Sequence, residues 1–313
     1  MTTNRTTSFG RLLTAMVTPM TPAGEIDLDA TKVLAKALVA SGTEGIVSTG
    51  STGEAATLSE DETVAVWRAT KEAVGADIAV IAGATNNDTR RSIRLAREAE
   101  RAGLDGVLLT VPAYSKPPQA GLVRHFTAIA EATALPGILY NIPGRAALNM
   151  TTQTVVMLAQ VPNIIGLKEA SGDLNQISAI INATKHITKH GAPEGFRVWS
   201  GNDTDTLAVL AFGGYGIISV ASHLVGRQIR AMIDASLAGR NAEAAAIHHR
   251  LTPLIDALFV ESNPIPVKYA VNLAGLTVGD CRLPLIPPSE HAAALIRAEL
   301  ARHTIDLRAR VGV

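Results

Sequence analysis

Apolar residues recur along this chain in short segments that are rich in Val, Ile and Leu. The segments begin roughly 20 to 33 residues apart, and each is nearly continuous rather than alternating with polar residues. Near-continuous apolar strands are typical of parallel sheets that are covered by helices. There are eight such segments, at residues 12–17, 45–48, 78–82, 106–110, 137–140, 164–168, 197–200 and 216–220.

The stretches between the apolar segments have the periodicity of amphipathic helices, for example at 28–41, 61–74 and 89–102. Eight strands alternating with helices are the number that closes a (β/α)8 TIM barrel. We therefore predict an α/β protein with this fold.

The pattern after the eighth segment changes to helices alone, at 226–237, 241–259, 266–273 and 289–301. No linker rich in Ser or Gly precedes these helices. We therefore predict a barrel over residues 1–225 and a C-terminal helical region over 226–313 that is docked on it.

Three segments of the chain echo one another at 40–46, 101–107 and 211–217, each with one glycine followed three residues later by a second. The first glycine is suited to end a helix in the left-handed conformation, and the second to open the next strand. This repeat supports the barrel.

One lysine stands directly after the apolar run of the sixth segment, in Ile164-Ile165-Gly166-Leu167-Lys168-Glu169. Burial disfavours the ammonium form, so it lowers the pKa of a lysine and yields neutral amine that attacks a ketone to form an imine. The alternative is that Lys168 ends its strand in solvent.

Residues whose side chains could take part in catalysis follow several other predicted strands at their carboxyl ends, where such barrels hold their active sites. The loop Gly50-Ser51-Thr52-Gly53-Glu54 follows the second strand, Tyr114 the fourth and Gly201 the seventh, while Tyr140 ends the fifth. The chain has only four tyrosines, and two of them fall at these ends. This grouping favours a catalytic role for Lys168.

The hydroxyls of Ser51 and Thr52 lie in a glycine-flanked loop that leads towards a helix. We expect them at the positive end of the helix dipole, where they suit a carboxylate. An ordinary N-cap is the alternative. Phosphate ranks lower, because the Lys-Ser/Thr ending of a P-loop is missing.

Tyr140 and Arg145 have two interpretations each. Tyr140 could shuttle protons to and from the carbinolamine, or be a packed aromatic. Arg145 lies in the turn-rich stretch after Tyr140 and could bind a second carboxylate bidentately, or be an exposed surface residue.

Metal-dependent chemistry is the main competitor, and it needs histidines near strand ends. Of eight histidines only His223 is so placed, because the others, His190 included, fall in predicted helices, their flanking loops or the tail. A nicotinamide enzyme is disfavoured as well, since no G-x-G-x-x-G motif follows the first strand.

Composition narrows the class further. A chain of 313 residues with 47% hydrophobic and 18% charged residues can bury a large core. A formal net charge of zero without a basic block argues against nucleic acid or an anionic membrane as a partner. The single cysteine, Cys281, and the lack of an apolar run approaching ~18 residues favour a cytoplasmic location.

Four motifs together resemble the signatures of the pyruvate-dependent class I aldolase superfamily, which contains N-acetylneuraminate lyase and dihydrodipicolinate synthase. The chain is most similar to the dihydrodipicolinate synthase branch, because sialic acid lyases lack an arginine at the place of Arg145. The motifs are Gly50-Ser51-Thr52-Gly53-Glu54, Tyr140-Asn141-Ile142-Pro143-Gly144-Arg145, Gly166-Leu167-Lys168-Glu169-Ala170-Ser171-Gly172 and Asn263-Pro264-Ile265-Pro266-Val267-Lys268.

The resemblance implies a pyruvate imine on Lys168, whose enamine attacks the aldehyde of L-aspartate 4-semialdehyde, with Tyr140 as proton donor and acceptor. It implies a proton relay through Ser51 and Tyr114, the latter reaching in from a neighbouring subunit. It also implies no metal or cofactor and a homotetramer built from two tight dimers. The substrate-binding residues that it implies are Thr52, Ile218 and Gly201, with Arg145 for the carboxylate of the semialdehyde.

The chain departs from the branch at several positions. Ser51-Thr52 stands where two threonines are usual, and Ala146-Ala147 follows Arg145 in place of Thr-Gly. The positions of the lysine feedback site keep only Asn87, which argues against inhibition by lysine. Two alternatives stay open: a related 2-keto-3-deoxy sugar acid aldolase or dehydratase, and a non-catalytic barrel that binds a keto acid.

Overall fold

Eight parallel strands follow one another in chain order around a closed barrel. The computed structural model describes residues 9–189 and 195–307, so His190 lies outside the described residues. Every strand overlaps its predicted segment, and the predicted (β/α)8 fold is confirmed. The strands are β1 (Leu12–Ala15), β2 (Gly45–Ser48), β3 (Ala79–Gly83), β4 (Gly106–Thr110), β5 (Gly137–Asn141), β6 (Ile164–Glu169), β7 (Arg197–Ser200) and β8 (Gly216–Ser219).

Helices alternate with the strands, and helices alone follow β8 in the described part of the chain, as predicted. The helices between strands are α1 (Leu28–Ala40), α2 (Glu60–Val74), α3 (Thr89–Arg101), α4 (Gln119–Ala130), α5 (Pro143–Ala146), α6 (Thr152–Leu158), α7 (Leu174–Thr184) and α8 (Thr206–Ala211). Those after β8 are α9 (Ser222–Leu237), α10 (Asn241–Leu258), α11 (Ile265–Leu273) and α12 (Glu290–Arg302).

Side-chain caps define where several of these helices begin. Asp27, Asp88 and Asp173 each accept a hydrogen bond from a backbone N–H in the first turn of the helix that follows. At α2 the caps are reciprocal, because Ser59 accepts from the Glu62 N–H and Glu62 accepts from the Ser59 N–H. Local sequence thus sets the helix starts.

The echoing glycines behave as expected. Gly42, Gly103 and Gly213 have φ values of 105°, 73° and 91°, in the left-handed region that favours glycine. Strands β2, β4 and β8 each begin three residues later, again at a glycine. The repeat therefore marks the passage from helix to strand.

Contacts within the chain group its residues into two compact units. One holds the described residues of Met1–Arg11 and Ile81–Ile218, and the other those of Leu12–Val80 and Ser219–Val313. The predicted boundary after residue 225 falls within α9, where the backbone of Val225 leaves helical geometry at φ −130° and ψ 37°. The division into a barrel over 1–225 and helices over 226–313 stays a prediction.

In the second unit a buried ion pair joins the motif at Lys268 to the loop after β2. Lys268 Nζ lies 2.8 Å from Glu54 Oε1, and the two side chains are only 2% and 1% exposed. The ammonium also donates to the carbonyls of Thr18 and Asp280, at 3.0 and 2.8 Å. The second carboxylate oxygen of Glu54 accepts from the Arg282 N–H. Both buried charges are thus satisfied by partners.

Lys268→Met should lower the free energy of unfolding by about 3 to 5 kcal/mol, because it strands the Glu54 carboxylate in a dry environment. Adding Glu54→Gln should recover part of that loss, since it removes the stranded charge. Urea unfolding of the single and double variants measures both effects.

Lys32 offers a matched control, because its pair with Glu72 joins side chains that are 33% and 68% exposed. Lys32→Met should change the free energy of unfolding by no more than about 1 kcal/mol. Equal losses in Lys32→Met and Lys268→Met would contradict the assignment of Lys268–Glu54 as a structural pair.

Candidate active site

Lys168 and Tyr140 face one another across two neighbouring strands of the first unit. They are register partners between β5 and β6, and Lys168 Nζ lies 4.2 Å from the centroid of the Tyr140 ring. Lys168 is only 4% exposed, so the alternative in which it ends its strand in solvent is wrong. The amine is enclosed beside the aromatic ring of Tyr140.

Burial lowers the pKa of the Lys168 amine to about 8. The Asp203 carboxylate opposes this shift by favouring the ammonium form, and the Arg145 guanidinium adds to it by repulsion. At pH 7 about a tenth of the amine is therefore neutral, far more than for an ordinary lysine, and the neutral form is the nucleophile in imine formation.

The pKa of the Tyr140 hydroxyl is shifted in the opposite direction. Burial raises its pKa above the usual value, the positive charge of Arg145 opposes this, and the negative charge of Glu169 adds to it. Tyr140 therefore keeps its proton at neutral pH and is set up as a donor. Because it stands beside Lys168 as well as being packed, the packing interpretation does not exclude a chemical one.

Arg145 lies exposed in the short helix α5. Its positive charge acts to lower the pKa values of both Lys168 and Tyr140. An exposed guanidinium whose charge acts on a buried amine can bind an anionic group of a substrate there.

Gly201 follows β7 at a point of close backbone approach. Its N–H donates to the carbonyl of Glu169 at 2.6 Å. A Cβ on Gly201 would lie 2.7 Å from the Cβ of Ala170 and 3.0 Å from the Glu169 oxygen. A larger residue would thus push apart the ends of β6 and β7.

Two polar residues that the sequence reasoning missed lie directly after Tyr140 and Lys168. Both oxygens of the buried Glu169 accept from Asn141 Nδ2 at 3.0 Å, and Glu169 Oε1 also accepts from the Ser171 N–H at 2.8 Å. Burial raises the pKa of Glu169, against these hydrogen bonds. The sequence carried a signal for this role of Glu169, because a carboxyl group that continues a buried strand needs hydrogen-bond partners.

Tyr114 and Ile218 occupy opposite environments. Tyr114 follows β4 with φ 67° and is 93% exposed. Ile218 lies in β8 and is fully buried. An aromatic ring so exposed is unusual, because it leaves a large apolar surface in water.

Ser51 and Thr52, in the second unit, lie in a run of turns rather than at a helix terminus. Helix α2 begins at Glu60 with Ser59 as its N-cap. The expectation that Ser51 and Thr52 use the helix dipole is therefore wrong, since that effect is confined to the first turn of a helix, and neither residue is the N-cap. Ser51 is half-buried, whereas Thr52 is buried and accepts from Asn263 Nδ2 at 2.9 Å.

His223, the histidine placed near a strand end, is a structural residue of the second unit. Its Nδ1–H donates to the Val220 carbonyl at 2.8 Å, and its Nε2 accepts from the Val17 N–H at 3.2 Å. Burial lowers its pKa to about 4, so the ring is neutral at physiological pH. Within the residues described, no group of three or more His, Cys, Asp or Glu is placed to hold a metal ion.

Lys189 provides a contrast to Lys168 within the first unit. Burial also lowers its pKa to about 8. Its Nζ, however, donates to the carbonyl of Val161 at 2.7 Å. A lowered pKa alone therefore does not mark a site, and Lys168 differs from Lys189 in that its amine also lies beside the Tyr140 ring.

A buried amine beside a tyrosine at neighbouring strand ends of a parallel (β/α)8 barrel is the arrangement expected of a Schiff-base-forming lyase of the class I aldolase type. None of the helices described is both long and apolar enough to cross a membrane. Comparison with known proteins narrows the class. The chain belongs to the dihydrodipicolinate synthetase family, whose model matches residues 8–302.

Similar proteins cover nearly the whole chain. A curated 4-hydroxy-tetrahydrodipicolinate synthase of Symbiobacterium thermophilum is 52% identical over 94% of this chain and 98% of its own. A solved dihydrodipicolinate synthase of Cyanidioschyzon merolae with lysine bound is 44% identical, with a TM-score of 0.89 over 94% and 97% of the two chains. A chloride-inhibited dihydrodipicolinate synthase of Acinetobacter baumannii complexed with pyruvate is 36% identical, with a TM-score of 0.88 over 94% and 98%.

Proposed function

We propose that this protein has 4-hydroxy-tetrahydrodipicolinate synthase activity and condenses pyruvate with L-aspartate 4-semialdehyde in the diaminopimelate route to lysine. This is the activity that curated relatives at about half identity are named for, and the prediction from the sequence motifs is confirmed to that extent. The observation that carries the proposal is the buried amine of Lys168 beside Tyr140.

In the proposed first half-reaction the neutral Lys168 amine adds to the ketone carbon of pyruvate. The resulting carbinolamine loses water to give the imine, and loss of a methyl proton then gives the enamine. The lowered pKa of Lys168 supports this step, because the ammonium form has no lone pair to donate.

Tyr140 is proposed to deliver and recover the protons that these steps need. Its raised pKa keeps the hydroxyl protonated for donation to the departing water, and Arg145 moderates that shift so that the proton is not held too tightly. Ser51 and Tyr114 are proposed to continue the relay.

In the second half-reaction the enamine carbon attacks the aldehyde carbon of the semialdehyde, which re-forms the imine, and the aldehyde oxygen takes up a proton to become a hydroxyl. The amino group of that substrate then adds to the imine carbon, which closes the ring and releases Lys168 as free amine. Arg145 is proposed to bind the semialdehyde carboxylate, because its guanidinium is exposed and carries the fork geometry that carboxylates need.

The remaining residues are proposed to bind pyruvate and to complete the assembly. Thr52, Ile218 and Gly201 would contact pyruvate. The exposed ring of Tyr114 supports an assembly in which a second copy covers it. The resemblance implies that this assembly is a homotetramer. This assembly, the cytoplasmic location and the absence of a cofactor stay predictions.

The related 2-keto-3-deoxy sugar acid aldolases are the second candidate, because Ser51 and Ala146-Ala147 depart from the usual pattern of the branch. Turnover with such sugar acids, and none with aspartate semialdehyde, would favour them. A non-catalytic barrel has less support, since the buried Lys168 carries the features of a nucleophile.

Borohydride trapping with pyruvate should add one adduct to the protein, at Lys168, and Lys168→Ala should lose it. Lys189 is the internal control, because its pKa is also lowered to about 8 but its amine is bonded to a backbone carbonyl. Intact mass and peptide mapping provide the measurement. Adduct at Lys189 in place of Lys168 would refute the assignment.

Tyr140→Phe should still form the adduct, with turnover reduced roughly 10²- to 10⁴-fold.

Arg145→Ala should raise the apparent KM for the semialdehyde by roughly 10- to 100-fold, since a charge-assisted bidentate contact contributes about 1.5 to 3 kcal/mol. Trapping with pyruvate alone should survive in the same variant. Equal damage to both measurements would mean that Arg145 supports the site as a whole and does not separate the substrates.

A further inference from the structure

The motif Asn263-Pro264-Ile265-Pro266-Val267-Lys268 has no part in the chemistry described so far. Its two polar ends nevertheless contact one loop, Gly50-Ser51-Thr52-Gly53-Glu54. The contacts link residues 211 and 214 positions apart in the chain. The side chains of Asn263 and Lys268 are both buried, so these contacts are shielded from water.

We propose that Asn263 is a positioning residue that aims the hydroxyl proton of Thr52 at the carboxylate of pyruvate, with Lys268 fixing the loop around it. The proposal rests on the proposed function, in which Thr52 contacts pyruvate. Asn263 itself is not required to touch the substrate.

The hydrogen bond between Asn263 and Thr52 has a direction that matters. Asn263 Nδ2 donates to Thr52 Oγ1 at 2.9 Å, and both residues are buried. A threonine hydroxyl has one proton and accepts through its lone pairs. When its oxygen accepts from Asn263, its own proton remains available for another acceptor. A carboxylate is an acceptor only, so it is the matching partner.

Lys268 holds the other end of the same loop. Its Nζ binds Glu54 Oε1, and the loop turns at Glu54 with φ 59°, in the left-handed region. Lys268 also holds the Thr18 carbonyl, while the Thr18 hydroxyl donates to the Gly53 carbonyl at 2.7 Å. The backbone that follows Thr52 is thus held in place. Within the described residues, Asn263 Nδ2 is the hydrogen-bond partner of the Thr52 side chain.

Asn272 is a matched asparagine with a local role, and it lies in helix α11, which begins two residues after Asn263. Its Nδ2 donates to the Gly279 carbonyl at 3.1 Å, and its Oδ1 accepts from the Val278 N–H at 2.7 Å. It stabilises the turn after α11, and its side-chain hydrogen bonds within the described residues go to Gly279 and Val278 rather than to the loop after β2. Substitution of Asn272 therefore reports on stability alone.

The decisive experiment compares Asn263→Ala with Asn263→Asp. The measurement is the pyruvate concentration that gives half-maximal borohydride trapping at Lys168, with the melting temperature measured in parallel. Asn263→Ala should raise that concentration about 3- to 10-fold, as for one lost neutral hydrogen bond. Asn263→Asp should raise it further, because the new carboxylate takes the Thr52 proton and repels the pyruvate carboxylate.

A purely structural role predicts the reverse order. The aspartate variant keeps the shape of asparagine, so it would be milder than the alanine variant if Asn263 only filled space. Asn272→Ala should lower the melting temperature and leave the half-saturating pyruvate concentration unchanged. Milder damage in Asn263→Asp than in Asn263→Ala, or a concentration unchanged in both, would overturn the proposal.

Thr52→Val supplies a second test in case the Asn263 variants fold poorly. It removes the hydroxyl and should itself raise the half-saturating pyruvate concentration. Adding Asn263→Ala to Thr52→Val should raise it no further, because Asn263 would have no hydroxyl to orient. Additive effects would contradict the mechanism. If the unaltered protein forms no pyruvate adduct at Lys168, the proposed function fails instead, and the two failures remain distinct.

Discussion

Removal of the Lys168 amine from water is the constraint on which the rest of this site depends. The strand places the amine where its charged form is poorly solvated, and its pKa falls to about 8. Asp203 and Arg145 act on the amine with opposite signs, so its protonation is set by a balance of burial and two charges. Tyr140 shares the same burial, which has the opposite consequence for an acid: it retains its proton.

This arrangement opposes folding stability. The unfolded chain holds Lys168 near its ordinary pKa of 10.5, while the folded chain binds that proton less tightly. Between about pH 8 and 10.5 the unfolded state therefore carries more protons, and this group makes stability increase with pH across that window. At neutral pH the native state bears the cost of the buried ammonium, which the surrounding packing and hydrogen bonds must offset. The bonded pairs Glu169–Asn141 and Lys268–Glu54 limit further losses from buried charge.

Much of the fold was predictable because local and global signals agree. Continuous apolar runs predicted the strands, and acidic or hydroxyl caps with positive-φ glycines set the helix ends within a few residues. The site was predictable in part, since chemistry at the carboxyl ends of barrel strands is a property of the fold. The dipole role of Ser51 and Thr52 was wrong because the chain makes several turns before α2 begins, a detail that hydrophobic periodicity does not encode. The contact of Asn263 with Thr52 could not be predicted either, because it joins distant segments that only the tertiary structure brings together.

The most direct test of the central claim is a titration of the Lys168 amine itself. Protein labelled with ¹⁵N at the lysine side chains, compared with the Lys168→Ala variant for assignment, would report the protonation of this one amine by NMR. The account predicts a midpoint near pH 8, and a lower midpoint in Asp203→Asn because that change removes the carboxylate that favours the ammonium form. A midpoint near the ordinary value of 10.5 would contradict the claim that burial activates this lysine.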